Sequence, residues 1–429
     1  MRTTLTTGRR QIVCAVALAL AGLAATSAHA DISVSGDAQA RVGTLSRSGD
    51  WNKGYDDTAT SVDGLFALFL SGTKDLKNGY NIGFNCNTVA TTVSGANAAW
   101  RQQALPVKHD WDAYFAGQDN YANNNHGGFS SYGDVNGDNK GVMCNDEVYG
   151  TLVTPYGRLQ VGNIMNPMRL LYDLTTVDPV WGNQRAYYQV ADLRGNALRY
   201  GNSWGGFGME LQFHTESNAQ FSGDKKSNGY SYSGVFTYDF GNGSLIGGGA
   251  QYTDGDFADK YPTAGVYQSW DGNIAYPKVN HLAYGLTGKT RIGPVNLAAT
   301  YLTGYKESKD FEFHGFKHDM EESDLTLKAT YDIASWSLQG YLSFETFKIA
   351  TPGGNYTIMT DGSYNGQKFQ ALKTERVNID LWAMYNLGVG ATPYIRLNTI
   401  DKKYSTPDIA GFEADTRATK FEAGWLMHF

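Results

Sequence analysis

Beyond its first thirty residues this chain has no long hydrophobic run; the longest is Leu65-Phe66-Ala67-Leu68-Phe69-Leu70. A bilayer-spanning helix needs about 20 apolar residues in succession, so helical spans are excluded there. Basic residues are also in short supply, 35 against 42 acidic ones. That balance argues against nucleic acid as a partner. Cysteine is nearly absent, at 3, and proline is scarce, at 10 in 429 residues. No HExxH, CxxC or P-loop occurs. Gly201-Asn202-Ser203-Trp204-Gly205 matches G-x-S-x-G. It falls in a strand-to-strand turn, without the strand–turn–helix that exposes a nucleophile. Nothing here calls for an enzyme or an organic cofactor. What is plentiful is glycine, at 51, and tyrosine, at 28.

The first thirty residues read as a secretory signal peptide. Arg2, Arg9 and Arg10 form a basic start, an apolar run extends from Ile12 to about Ala25, and Ala28-His29-Ala30 is a cleavage site before Asp31. A membrane anchor would need a longer run. Cleavage removes three basic residues and leaves 35 − 3 = 32 against 42 acidic ones, a net charge of −10. Cys14 departs with the peptide, and Cys86 and Cys144 remain in an oxidising compartment. A disulfide is expected between them, with two unpaired small hydrophobes as the other reading.

What the remaining chain shows is alternation. In Lys420–Phe429, Phe421, Ala423, Trp425, Met427 and Phe429 alternate with Glu422, Gly424, Leu426 and His428. This is a strand with one greasy face and one mostly polar face. A soluble edge strand of this kind would invite aggregation, whereas a strand closing a barrel in a membrane pairs with the first strand. The pattern recurs in Ile32, Val34, Ala38, Ala40 and Val42 against Ser33, Ser35, Asp37, Gln39 and Arg41. It recurs again in Phe207, Met209, Leu211 and Phe213 against Glu210, Gln212 and His214. Sixteen such strands are counted, the eleventh expected at 295–305 and the twelfth at 324–332. Seven short turns, among them Asn78-Gly79 and Gly241-Asn242-Gly243, alternate with eight long connections.

That arithmetic predicts an all-β fold over residues 31–429: a 16-stranded antiparallel transmembrane β-barrel. Sandwiches and propellers do not alternate short and long connections in this way. At this strand number the interior is too wide for side chains to fill. The inward faces read Asp37, Arg41, Glu210, Gln212, Lys328, Gln339, Asn378, Asp380, Arg396 and Glu422, a wet and charged lumen. Tyr80, Tyr156, Trp204, Phe207, Tyr238, Phe240, Trp336, Tyr385 and Trp425 lie where aromatic girdles belong.

Three segments carry a family resemblance. Val148-Tyr149-Gly150-Thr151-Leu152-Val153 through Pro155-Tyr156-Gly157-Arg158-Leu159-Gln160-Val161-Gly162-Asn163 resembles the hairpin of Gram-negative general porins. Leu193-Arg194-Gly195-Asn196-Ala197-Leu198-Arg199-Tyr200 resembles the porin strand after the third loop, and the C-terminal Phe429 is shared. The resemblance spans the mature chain. It implies a homotrimer in the outer membrane, among lipid and lipopolysaccharide, passing small hydrophilic solutes by passive diffusion. It also implies an inward-folded third loop, here at about 164–194, whose acidic residues face a basic cluster on the wall.

On that loop Asp173 and Asp178 are the acidic candidates, with Asp192 a weaker third, and Arg169 and Arg185 depart from a purely acidic loop. On the wall the candidates are Arg41, Arg158 and Arg199, each with inward parity. For any one of these residues, an ordinary solvated lumen charge is the alternative. The acidic balance suggests a mild preference for cations. A long second loop, about 89–145, holds Asp134, Asn136 and Asp138 in the spacing that starts a calcium loop. Asn139 and Asn145 replace the turn glycine and the final acid, and these residue types also simply make turns. A channel preferring sugars or peptides is the second functional reading, with Trp51, Trp111, Trp181, Tyr187 and Tyr188 as loop aromatics. A surface receptor or adhesin on a barrel anchor is the third.

Overall fold

The computed structural model describes residues 31–48, 59–91, 144, 147–175, 194–215, 230–256, 278–313, 316–350, 356–357, 367–388 and 390–429. The strands are β1 (Asp31–Ser48), β2 (Ala59–Lys77), β3 (Tyr80–Thr91), β4 (Glu147–Thr154), β5 (Gly157–Met165), β6 (Arg194–Trp204), β7 (Phe207–Thr215), β8 (Tyr230–Asp239) and β9 (Leu245–Asp256). They continue with β10 (Lys278–Ile292), β11 (Val295–Phe313), β12 (Phe316–Ile333), β13 (Trp336–Ala350), β14 (Tyr356–Thr357), β15 (Lys368–Phe369), β16 (Ala371–Tyr385), β17 (Ala391–Ser405) and β18 (Glu413–His428). β14 and β15 pair only with each other. The other sixteen form one closed antiparallel barrel in chain order, with β18 hydrogen-bonded to β1.

Alternation sorts the two faces. Leu211 is 40 % exposed, Leu286 66 % and Phe421 51 %, whereas Gln212 is 3 %, Asp380 1 % and Glu422 0 % exposed. The apolar set faces outward and the polar set inward, the reverse of a soluble protein. At the turn-side rim, Trp204 lies 5.8 Å from Phe207, Trp336 5.0 Å from Tyr385, and Tyr238 4.9 Å from Phe240, between ring centroids. These are among the residues expected as a girdle.

The seam between β1 and β18 is tight. Gly36 and Phe429 exchange backbone hydrogen bonds of 2.8 and 3.0 Å. A Cβ on Gly36 would come within 2.5 Å of the Phe429 ring, so glycine is what lets this ring lie flat on the strand. The Phe429 ring stacks on Phe66 at 5.8 Å. His428 Nδ1 lies 2.5 Å from Asp37 Oδ1 across the same seam.

The seven tight turns are where the sequence places them, with positive φ at Lys77 (72°), Asn78 (55°) and Gly79 (80°) in the first. One expected long connection is corrected. β11 runs to Phe313 and β12 begins at Phe316, so most of 306–323 continues the hairpin, with a register shift between Ser308 and Phe313. Lys306, Glu307, Ser308, Lys309 and Asp310 are polar on both faces. A strand rising out of hydrocarbon into water loses its alternation without losing its ladder, so periodicity alone ended it too early.

Cys86 and Cys144 form a disulfide with Cα atoms 4.8 Å apart. Cys144 precedes β4, at a φ of 61°, and its N–H donates to Thr88 Oγ1 at 2.8 Å. The bridge spans a sequence separation of 58. Chain-entropy arguments put a closed loop of this length at about 4 kcal/mol. Cys86→Ala should therefore lower the urea midpoint of the refolded barrel, and thiol-specific alkylation should label the native protein only after reduction.

Candidate functional site: the inner wall of the barrel

Two charge clusters on the inner wall contain the expected wall arginines Arg41, Arg158 and Arg199. The first spans β16, β17, β18 and β1, where the strand register brings together residues far apart in the chain. Trp382 pairs with Arg396, Arg396 with Glu422, and Arg41 with Gly424, two residues from Glu422 on the same face. Glu422 receives Arg41 Nη1 at 3.1 Å, Arg396 Nη1 at 3.0 Å and Lys420 Nζ at 2.8 Å. Arg396 also grips Asp380 with both arms of its fork, Nε to Oδ1 at 2.9 Å and Nη2 to Oδ2 at 2.7 Å. Its guanidinium lies 4.7 Å from the centre of the Trp382 ring. Planar, bidentate and stacked at once, Arg396 occupies a position that lysine could not fill.

Below these charges, toward the turns, the inner wall is apolar. Ala67, Tyr341, Trp382, Met384, Tyr394 and Leu426 form a buried cluster with Phe69 packed against it. This corrects the expectation of a lumen that is polar throughout. Leu426 is the visible signal, an apolar residue on the polar face of the last strand.

The second cluster lies on β4 to β7, at the root of the third connection. Arg158 Nη2 is 2.5 Å from Glu210 Oε1. Arg199 donates through Nε to Gln212 Oε1 at 2.6 Å and through Nη2 to the carbonyl of Met165. The N–H of Met165 donates to Glu147 Oε1 at 2.8 Å, and Asn87 Nδ2 donates to Glu147 Oε2 at 3.1 Å. Both backbone polar groups of Met165 are thus held by wall side chains.

From Met165 the chain turns into the barrel. A short helix, α1 (Arg169–Asp173), follows. Met168 and Leu171 are fully buried and cluster with Val235 and Leu302, inward positions of β8 and β11. Asn166 donates to Gln251, and Thr300 Oγ1 donates to the Leu171 carbonyl at 2.9 Å.

The expected site residues are only partly brought together. Arg41 joins the cluster around Glu422, with Arg396 and Lys420 as partners not singled out beforehand for the constriction. Arg158 and Arg199 sit together on the other cluster, engaged with Glu210 and with the root of the loop. Arg169 Nε lies 3.3 Å from Asp173 Oδ1, one helical turn apart. Asp178, Asp192, Arg185, Asp134, Asn136 and Asp138 lie outside the described residues, as do the loop aromatics. Among the described residues no group of three or more His, Cys, Asp or Glu could hold a metal ion. Ser203 is the penultimate residue of β6 and leads into a two-residue hairpin turn, so the G-x-S-x-G match has no nucleophile geometry.

A family profile described as Gram-negative porin matches residues 15–405. Among solved structures, the fold is similar to OmpT, an outer membrane protein of Vibrio cholerae in trimer form, at 11 % identity, covering 94 % of this chain and 100 % of that one with a TM-score of 0.57. It is also similar to the anion-selective porin from Comamonas acidovorans, at 13 % identity, 94 % and 100 % coverage and a TM-score of 0.53. No curated protein matches the chain in sequence.

Removing the carboxylate at the centre of the first cluster should be costly. Breaking a buried ion pair by deleting one partner typically costs about 3–5 kcal/mol. Glu422→Gln should lower the unfolding midpoint of the refolded barrel in urea, and Asp401→Asn, in an exposed pair with Arg417, should leave it within experimental error.

Proposed function

The chain belongs to the Gram-negative porin family, and from that premise we propose that its barrel is a water-filled channel for passive diffusion of small hydrophilic solutes and ions across the outer membrane. The observation that carries this reading is the inversion of faces: an apolar, exposed outside around an inner wall holding Arg41, Arg396, Asp380 and Glu422. Lipid and the lipid portion of lipopolysaccharide are the natural neighbours of that outer surface. Residues 1–30 are the export signal removed before assembly. A homotrimer is proposed as well, in keeping with the trimer form in which OmpT is described. Catalysis has no part in the reading; the barrel is a channel rather than an enzyme.

A mild preference for cations is the finer proposal. Two observations support it. The mature charge is −10, from 32 basic and 42 acidic residues. The inner faces of β12 and β13 also carry Glu322, Asp324 and Glu345, with Arg376 beside Glu345 at 2.8 Å. Asp173 and Asp178 remain the proposed acidic lip of the third loop, opposite the wall cations. The pairing of Asp173 with Arg169 weakens the share of Asp173 in that field.

Reconstitution into planar bilayers in asymmetric potassium chloride should give stepwise conductance with a reversal potential of cationic sign. Asp173→Asn combined with Asp178→Asn should move that potential toward zero. A channel with the opposite sign would refute the cation preference and leave the pore reading intact; absence of any conductance from folded protein would refute both. Light scattering in detergent should give three protomer masses per particle.

A further inference from the structure

We infer that a glycine-lined socket on the inner wall of β8–β11 seats the start of the third connection and thereby sets the aperture of the channel. Met168 and Leu171 are the pegs and Gly249 and Gly285 the floor. The inference rests on the channel reading above and adds the residues that fix the channel's width.

The socket is visible as missing volume. A Cβ on Gly249 would come 2.8 Å from Met168 Sδ, 2.8 Å from Val235 Cγ2 and 2.6 Å from the Gly234 carbonyl oxygen. A Cβ on Gly285 would come 2.2 Å from Leu302 Cδ2 and 3.4 Å from Leu171 Cδ1. Alternation turns both glycines inward, since Tyr284, Leu286 and Ala250 are exposed on the outer face. Their two missing side chains therefore leave a dent in the lumen wall. Met168 and Leu171 fill it so completely that neither retains exposure. Peg-in-socket packing of this kind loses dispersion contacts as soon as the peg is shortened.

Polar contacts fix the seat from both ends. Upstream, Glu147 and Arg199 hold the N–H and carbonyl of Met165, so the chain leaves β5 in one direction. At the turn, the Asn166 side chain accepts from the N–H of Met168 at 2.9 Å while donating to Gln251 on β9. Downstream, Thr300 donates to the Leu171 carbonyl, Thr175 Oγ1 donates to Thr300 Oγ1 at 3.1 Å, and Thr287 Oγ1 lies 2.7 Å from the same hydroxyl. A loop in water has no need of two buried apolar anchors and a chain of buried hydroxyls. Arg199 is, on this account, a positioning residue, and its charge serves the loop root before it serves permeating ions.

The test compares Met168→Ala/Leu171→Ala, which withdraws the pegs, with Thr300→Val, which keeps the shape and removes the hydroxyl. Leu297→Ala, on the outward face of the same strand as Thr300, is the control. Heat-modifiability on gels establishes that each barrel is folded. Readouts are single-channel conductance and the swelling rate of proteoliposomes in sugars of rising size. The narrowest section dominates a pore's resistance, so the peg variant should conduct roughly one and a half-fold more than wild type and admit a larger sugar. Thr300→Val should show the same direction at smaller size, and Leu297→Ala no change. Folded peg and Thr300→Val variants with wild-type conductance and an unchanged size limit would overturn the socket, while a wild type that conducts normally would still uphold the channel. Peg variants that failed to fold would place the pegs in barrel assembly, and Thr300→Val would then decide the question of aperture alone.

Discussion

Hydrocarbon offers the backbone no hydrogen-bond partner, and the rest of this structure follows from that constraint. Each N–H and C=O within the bilayer must find a neighbour strand, so the sheet has to close, and the closing seam has to be in one register. A slip of a single residue between β1 and β18 would turn every side chain of one strand to the wrong solvent. The register seen here places Gly36 opposite Phe429, Asp37 opposite His428 and Arg41 next to Glu422. Backbone closure, the aromatic seat of Phe429 and the ion cluster therefore specify the same register three times. Glu422 is the member with the most to lose, since a one-residue slip would turn a buried carboxylate with three cations around it toward lipid.

The sequence was most legible where two solvents act on one strand. Phe207–Thr215 could be read from its alternation alone, and the turn glycines marked where each hairpin reverses. Legibility failed where only one solvent acts. Residues 306–310 are polar at odd and even positions alike, so the sequence pattern is lost there, although 306–308 keep their ladder with β12. It failed again inside the lumen. Trp382 and Tyr394 lie on the inward face and are apolar, because the turn-side part of the wall packs against itself rather than against water.

Contacts between strands were less legible the farther apart their residues lie in the sequence. The hairpin turn at Gly388–Gly390 sets Trp382 against Arg396, and a careful count from that turn would have found the pair. Arg41 and Glu422 meet across the seam, and no local signal fixes that register. The socket under α1 was out of reach for another reason. Gly249 and Gly285 look like ordinary small residues of a lipid-facing barrel, and only the placement of Met168 and Leu171 shows which dent they make and what fills it.

Charge in this lumen does two kinds of work, and counting arginines confuses them. Arg158 and Arg199 have the same inward parity as Arg41, yet one neutralises Glu210 and the other holds a backbone carbonyl. A closely paired charge acts at a distance as a dipole, whose field falls off faster than that of a single charge and is screened within a Debye length of about 8–10 Å. What a permeating ion meets is the remainder after such pairing. In the cluster around Glu422, Arg41, Arg396 and Lys420 stand against Glu422 and Asp380. On the next arc, Glu345 of β13 is paired with Arg376 of β16 at 2.8 Å, and Glu322, Asp324 and Lys328 share the inner face of β12. Ion pairs thus recur on both of these arcs of the wall. In the proposed channel, selectivity depends less on total charge than on how the wall's charges are paired, and this ties the electrostatics of the pore to the loop root, where Glu147 and Arg199 are engaged.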